Sequence, residues 1–158
     1  MRILDVHTRH SWVYMLKHQS DAGAKLKEWI AVVKHQCGKK LFHLRTDKGG
    51  EFTSNNFMAW LALHGVTQRK TPLDSPENNG MAERLNRTLQ DKARTIMVAA
   101  ALPGYVWGQI LQATNMLRNM TPATNMECTP FEKWYGKKHD LSKLRVFGCK
   151  AICQIDKK

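Results

Sequence analysis

Apolar residues recur at helical spacing along some stretches of this chain and alternate or cluster along shorter ones, which predicts helices and strands in turn. Ile3 to Asp5 and Ser11 to Lys17 read as a hairpin. Ser20 is placed to cap a helix with the apolar stripe Ala22, Leu26, Trp29, Ile30, Val33 and Cys37, which Gly38 closes. The run Leu41, Phe42, His43, Leu44 predicts a strand that ends at Asp47 and enters a turn through Lys48, Gly49 and Gly50. Ser54 predicts a short helix with Phe57, Trp60 and Leu61 inward, ending at Gly65 before a strand over Val66 to Lys70.

The segment from Thr71 to Gly80, with two prolines and a glycine, reads as a loop. A long helix follows from about Met81 to Ala101, with Leu85, Leu89, Ala93, Ile96 and Ala100 on its apolar side. Pro103 starts a further helix through about Met120, with Val106, Trp107, Ile110, Ala113 and Leu117 inward. Thr129, Pro130 and Glu132 form a capping box with proline at the first helical position, and that short helix stops at Gly136. The run Leu144 to Ile155 is strand-like. Strands alternating with helices point to an α/β domain, and the five tryptophans, set beside aliphatic residues, read as core.

Charge adds a partner to this picture. Against 13 Asp and Glu stand 25 Lys and Arg, a formal net charge of +12 over 158 residues, which favours polyanions. The basic residues are dispersed through globular segments, with neither a long apolar run nor one basic amphipathic helix, so DNA or RNA fits better than a membrane surface. Cys37, Cys128, Cys149 and Cys153 are scattered and imply no disulfide framework. Cys149 and Cys153 lack a second pair at zinc-finger spacing and read as packed residues on a strand. Without a signal peptide, membrane span or lipidation motif, the chain reads as intracellular.

Two acids stand out chemically. Asp47 lies at the end of a strand and Glu83 on a helix, rigid elements on either side of the Thr71–Gly80 loop. Carboxylates so placed suit Mg2+ or Mn2+, hard cations that prefer oxygen ligands and can clamp the attacking and leaving oxygens of phosphoryl transfer. From Glu83 the helix carries Arg87, Gln90 and Arg94 at steps of four, three and four, so side chains able to grip phosphates share its face. Arg87 is equally spaced to pair with Glu83 as an ordinary surface ion pair.

The residues Leu44 Arg45 Thr46 Asp47 Lys48 Gly49 Gly50 Glu51 Phe52, and then Ser75 to Leu89 around Asn79 Gly80 and Glu83 Arg84, resemble the integrase catalytic core of copia-type retrotransposons. The segment Asp5 to Tyr14 resembles the family's second-strand hairpin. Thr129 to Lys138 and Leu144 to Ala151 resemble the polyprotein segments that follow the core. The resemblance implies a ribonuclease H-like mixed sheet flanked by helices, of the retroviral integrase superfamily, over residues 1–101, with post-core helices and a strand over 102–158. It further implies Mg2+ or Mn2+ as cofactor, Asp47 and Glu83 as catalytic metal ligands, and Lys48, Arg84, Arg87, Gln90 and Arg94 as DNA contacts. Lys48 stands where the family commonly has Asn, so depressing the pKa of Asp47, competing with metal and touching phosphate all remain open for it.

The family uses three acids, the first on an opening strand upstream of the hairpin. Aligned through Trp12, Val13 and Tyr14, Asp5 matches a structural aspartate of the second strand, with a substitute ligand as the alternative. The resemblance therefore implies an amino-terminally truncated core whose sheet falls into two halves for want of its central strand. The implied parent activity is 3′-end processing and strand transfer of element DNA into target DNA, by a homo-multimer in the nucleus. A non-catalytic nucleic-acid-binding remnant is the alternative, and a nuclease on the same fold would leave the Pro130 and Gly148 blocks without a role.

Overall fold

The computed structural model of the chain describes residues 1–46, 49–70, 76–123, 126–150 and 152. Its contacts divide it into two compact units, Met1 with Tyr14–Arg84 and Arg2–Val13 with Leu85–Lys158.

In the first unit, strands β3 (His43–Thr46) and β4 (Thr67–Lys70) pair in parallel, with Leu44 opposite Gln68. A parallel pair needs a crossover instead of a tight turn, and helix α2 (Asn55–Leu63) supplies it. The Ser54 hydroxyl starts α2 by accepting the Phe57 N–H at 3.3 Å, and Gly65, at φ +65°, turns the chain beyond its end. Phe57 and Leu61 on α2 are buried with Leu44 and Val66. Helix α1 (Ala22–Cys37) buries Ala22, Leu26, Trp29, Ile30 and Val33, the stripe its period predicts, and Gly38 ends it at φ +62°. Each such Leu, Ile or Phe contributes about 1.5–3 kcal/mol by leaving water.

The start of α1 differs from expectation. A 3₁₀ turn over Gln19–Asp21 precedes it, and the Asp21 carboxylate accepts the His18 N–H at 3.1 Å. An acid also complements the positive end of the helix, so Asp21 organises the entry expected of Ser20.

In the second unit, β1 (Arg2–Leu4) and β2 (Ser11–Val13) pair antiparallel, Ile3 opposite Trp12. Asp5 holds their turn, its Oδ2 accepting from the N–H and hydroxyl of Thr8 at 2.7 and 2.6 Å. Arg9 takes the left-handed conformation, φ 63°, that brings the chain back. The described residues thus hold two two-stranded sheets, β1 with β2 and β3 with β4.

Helix α4 (Trp107–Asn119) packs on β2 through a face that hydrophobicity does not reveal. Ile110 is buried as expected, but Leu117 is 39% exposed while Thr114, Asn115 and Asn119 are buried. The reason is the backbone of Ser11. Its N–H donates to Asn119 Oδ1 at 3.0 Å, and its carbonyl accepts from Asn115 and Asn119 at 2.8 and 2.7 Å. Buried backbone groups must be paired, and these amides pair them. The Arg118 guanidinium adds a bond to the Arg9 carbonyl, and burial, then the charge of Arg9, hold its pKa below the ordinary arginine value.

Helix α5 (Pro130–Tyr135) follows its capping signature, Thr129 Oγ1 accepting the Glu132 N–H at 3.1 Å and Gly136 closing it at φ +70°. Trp134 of α5 stacks 5.9 Å from His10 and edge-on to Trp12 at 4.8 Å, so aromatic packing joins α5 to the hairpin. Trp29 and Trp134 are buried and Trp12, Trp60 and Trp107 half-buried, in line with a packing role.

Helix α3 (Pro76–Ala99) begins before Met81, the expected start, so Pro76 to Gly80 is helical and not loop. Proline is pre-organised for the first helical turn, where its missing N–H costs nothing; one interior glycine costs only about 1 kcal/mol. Leu85, Leu89 and Ala93 are buried, Ile96 and Ala100 half-buried. Where it is described, the final run is not a strand. Residues 144–150 and 152 form turns and coil, and Gly148 lies at φ +87° with its α-carbon so close to Ala100 that a methyl group would stand 2.7 Å from the Ala100 Cβ. Cys149, expected to pack, is exposed there, and Cys153 lies outside the described residues. No described helix is long and apolar enough to cross a membrane.

Candidate metal and nucleic-acid site

Strand β3 delivers the chain to the site and stops at buried Thr46. The next residues, Asp47 and Lys48, lie outside the described residues. A 3₁₀ turn over Gly50–Phe52 follows, and the Gln68 amide of β4 ties the two sides together. Gln68 Nε2 donates to Thr46 Oγ1 at 2.8 Å and to the Phe52 carbonyl at 3.0 Å.

The same turn is fixed from α1. The Glu51 carboxylate accepts from Gln19 Nε2 at 3.1 and 3.3 Å, and a methyl group on Gly23 would stand 3.2 Å from the Glu51 carbonyl. Glu51 also folds over Gly49, where a methyl group would stand 2.8 Å from its carboxylate. A side chain at position 49 would displace that carboxylate. Sequence reasoning missed Gln19, Glu51 and Gln68. Glu51 is carried by the motif itself, but nothing in a single sequence marks a glutamine on a short strand as a bridge.

Glu83 stands in the second turn of α3, exposed, and among the described residues it has no ion-pair or hydrogen-bond partner. Arg87 is likewise exposed and without a partner among the described residues, so the Glu83–Arg87 ion pair is not formed. Gln90 and Arg94 are exposed in the same way. At 100° per residue, positions 83, 87, 90 and 94 fall within about 60° of one another around the helix, opposite in character to the buried Leu85, Leu89 and Ala93. Arg84 differs, since its Nε donates to the Gly80 carbonyl one turn back at 3.0 Å.

Among the described residues no three His, Cys, Asp or Glu side chains gather as a metal cluster. The donor chemistry of Asp47 and Glu83 nonetheless fits Mg2+ or Mn2+, which take carboxylate oxygens. An exposed Glu83 with no competing cation among the described residues is available as one such donor.

No family model matches the chain. Individual relatives do. It is 36% identical over 155 residues, 98% of its length, to the retrovirus-related Pol polyprotein from transposon TNT 1-94 of Nicotiana tabacum, of which it covers 12%. It is 29% identical over 147 residues to the Pol polyprotein from transposon RE2 of Arabidopsis thaliana, covering 10% of that protein. The chain therefore spans about a tenth of the length of these curated relatives. In fold it is similar to the simian T-cell lymphotropic virus intasome in complex with PP2A regulatory subunit B56 gamma, at 18% identity. That match has a TM-score of 0.67 over 97% of this chain and 52% of the other. It is also similar to the HTLV-2 integrase catalytic core domain in complex with magnesium, at 16% identity. There the TM-score is 0.63 over 84% of this chain and 82% of the other. Sequence and fold agree, and the chain belongs with the Pol polyproteins of copia-type retrotransposons, as a region with the ribonuclease H-like fold of the integrase catalytic core.

Proposed function

We propose that the chain is the integrase-core part of a Pol polyprotein that joins element DNA ends to target DNA. The observation that carries this reading is α3, where Glu83, exposed and without a partner among the described residues, shares a helix face with Arg87, Gln90 and Arg94. In this reading Asp47 and Glu83 hold Mg2+ or Mn2+. A bound divalent ion there supplies charge stabilisation to the phosphate oxygens during in-line displacement. Arg87 and Arg94 grip phosphates, Gln90 donates or accepts between them, and Lys48 and Arg84 add positive charge on either side. Exposure keeps the arginine side chains free to reach the DNA backbone, while the buried Leu85–Leu89–Ala93 stripe fixes the rotation of the helix beneath them. The parent protein works in the nucleus as a homo-multimer, because two element ends must be held together.

A second reading, a nucleic-acid-binding remnant without transfer activity, draws on the absence of a three-ligand cluster among the described residues together with the +12 charge. One experiment separates the two. Strand transfer on a short duplex carrying the element's ends is measured with Mg2+ and with Mn2+, for this chain, for a version extended upstream by one strand, and for both with Glu83→Gln. The integrase reading expects products in at least one of the two proteins and none with Glu83→Gln. DNA binding without products in either protein would establish the remnant.

A further inference from the structure

We propose that Gln68 is a positioning residue for Asp47, acting through its side-chain amide on Thr46 and Phe52, which stand before and after it in the chain; this rests on the reading of Asp47 as a metal ligand. The geometry is specific. Strand β3 ends at Thr46, and the 3₁₀ turn over Gly50–Phe52 lies beyond residues 47–49 in the chain. Gln68 spends both N–H groups here, one on Thr46 Oγ1 at 2.8 Å and one on the Phe52 carbonyl at 3.0 Å. It thus staples the residue before Asp47 to the residue that closes the turn.

The orientation of the amide is fixed by chemistry. A backbone carbonyl only accepts, so the NH2 end must face Phe52. The opposite end, Oε1, is buried with no hydrogen-bond partner among the described residues. A buried acceptor left unmatched costs stability, and leucine at this position would avoid that cost. A residue that gives up stability while bridging Thr46 to Phe52 is held for where it puts those two residues. Gln68 is itself well anchored, since its strand pairs with β3 through Leu44. Groups that orient a metal ligand from behind change metal affinity or activity by about 10–100-fold when removed.

The test uses Mn2+ alone as the probe. Free Mn2+ is measured by electron paramagnetic resonance in titrations of the whole chain, for the unchanged protein, Asp47→Asn and Gln68→Leu. Circular dichroism confirms that each is folded at the working temperature. The proposal expects Asp47→Asn to remove the tightest site and Gln68→Leu to weaken it about 10-fold with the helical signal intact. Should Gln68→Leu fail to fold, Thr46→Val breaks the same bond from its other end at nearly constant volume and is expected to weaken Mn2+ in the same direction. Unchanged Mn2+ affinity in the folded Gln68 or Thr46 variant, with Asp47→Asn still losing the site, overturns the positioning role alone. Mn2+ binding that is indifferent to Asp47→Asn overturns the metal-site reading, and the positioning role with it.

Discussion

Neutralising the two arginines on the exposed face of α3 gives the sharpest test of how this chain meets DNA. Arg87 and Arg94 are seven residues apart, a rise of about 10.5 Å and a net rotation of about 20° on an α-helix. One strand of B-DNA advances about 3.4 Å per phosphate along the duplex axis, so the two guanidinium groups are spaced to meet different phosphates. Neither is tied to another described residue, so neither must break an existing bond to do so. Each phosphate contact contributes about 0.9 to the slope of log K against log salt, and near 0.15 M salt that corresponds to about 5-fold in affinity. Arg87→Gln with Arg94→Gln is therefore expected to lower the magnitude of the slope by about 2 and to weaken binding about 30-fold. The assay is fluorescence anisotropy on a labelled duplex of about 20 base pairs between 50 and 200 mM salt. Both positions are exposed, so thermal unfolding should not move by more than a degree or two. An unchanged slope in the folded double variant refutes the reasoning. Arg84→Gln provides an internal contrast, since its Nε is already engaged with the Gly80 carbonyl, and its slope change should be smaller.

Two further predictions concern the second unit. Asn119→Ala removes a buried amide that serves both backbone groups of Ser11, one of which, the N–H, loses the partner at 3.0 Å. At about 1–3 kcal/mol for a stranded donor plus a small cavity, the loss is expected to reach about 2–4 kcal/mol. Urea unfolding measures it, and a change under about 0.5 kcal/mol would mean that the Ser11 backbone finds water instead. Gly148→Ala adds a methyl group where φ is +87° and Ala100 Cβ would stand 2.7 Å away, so it is expected to destabilise by about 1–3 kcal/mol. A thermal melt that does not shift would show that this terminal segment leaves α3 without loss to the fold.

Much of the local structure was legible in the sequence because its causes are local. Ser54 and Thr129 cap the helices they were expected to cap, Gly38 and Gly136 end theirs in the left-handed conformation, and the 3.6-residue period placed Leu26, Trp29, Ile30 and Val33 inside. A hydroxyl beside a free N–H, or a residue without a Cβ at positive φ, needs no distant partner. The same holds for Glu83 and the arginine face of α3, whose mutual placement follows from helix geometry once the helix exists. The acids and the family motif around Asp47 were also readable, since their chemistry is carried by residue type and order.

Where the reading failed, the deciding partner lay far away along the chain. Asn115 and Asn119 look like the wet side of α4 until the hairpin brings the Ser11 backbone against them from more than a hundred residues upstream. The strand expected over Leu144 to Ile155 had suitable residues, yet a strand exists only by pairing, and residues 144–150, with Gly148 close against Ala100, form turns and coil instead. Gln68 showed no signal because its amide matters only through two acceptors that lie more than a dozen residues earlier and are assembled by the parallel pairing of β3 and β4. Sequence alone thus determined the middle of the helices, the caps at Ser54 and Thr129 and the basic character, and it nominated the candidate ligands, all through side-chain type and short-range geometry. Only the tertiary structure decided which polar groups are buried, which turn is stapled and which strand forms, because each of those depends on satisfying backbone hydrogen bonds with residues remote in the chain.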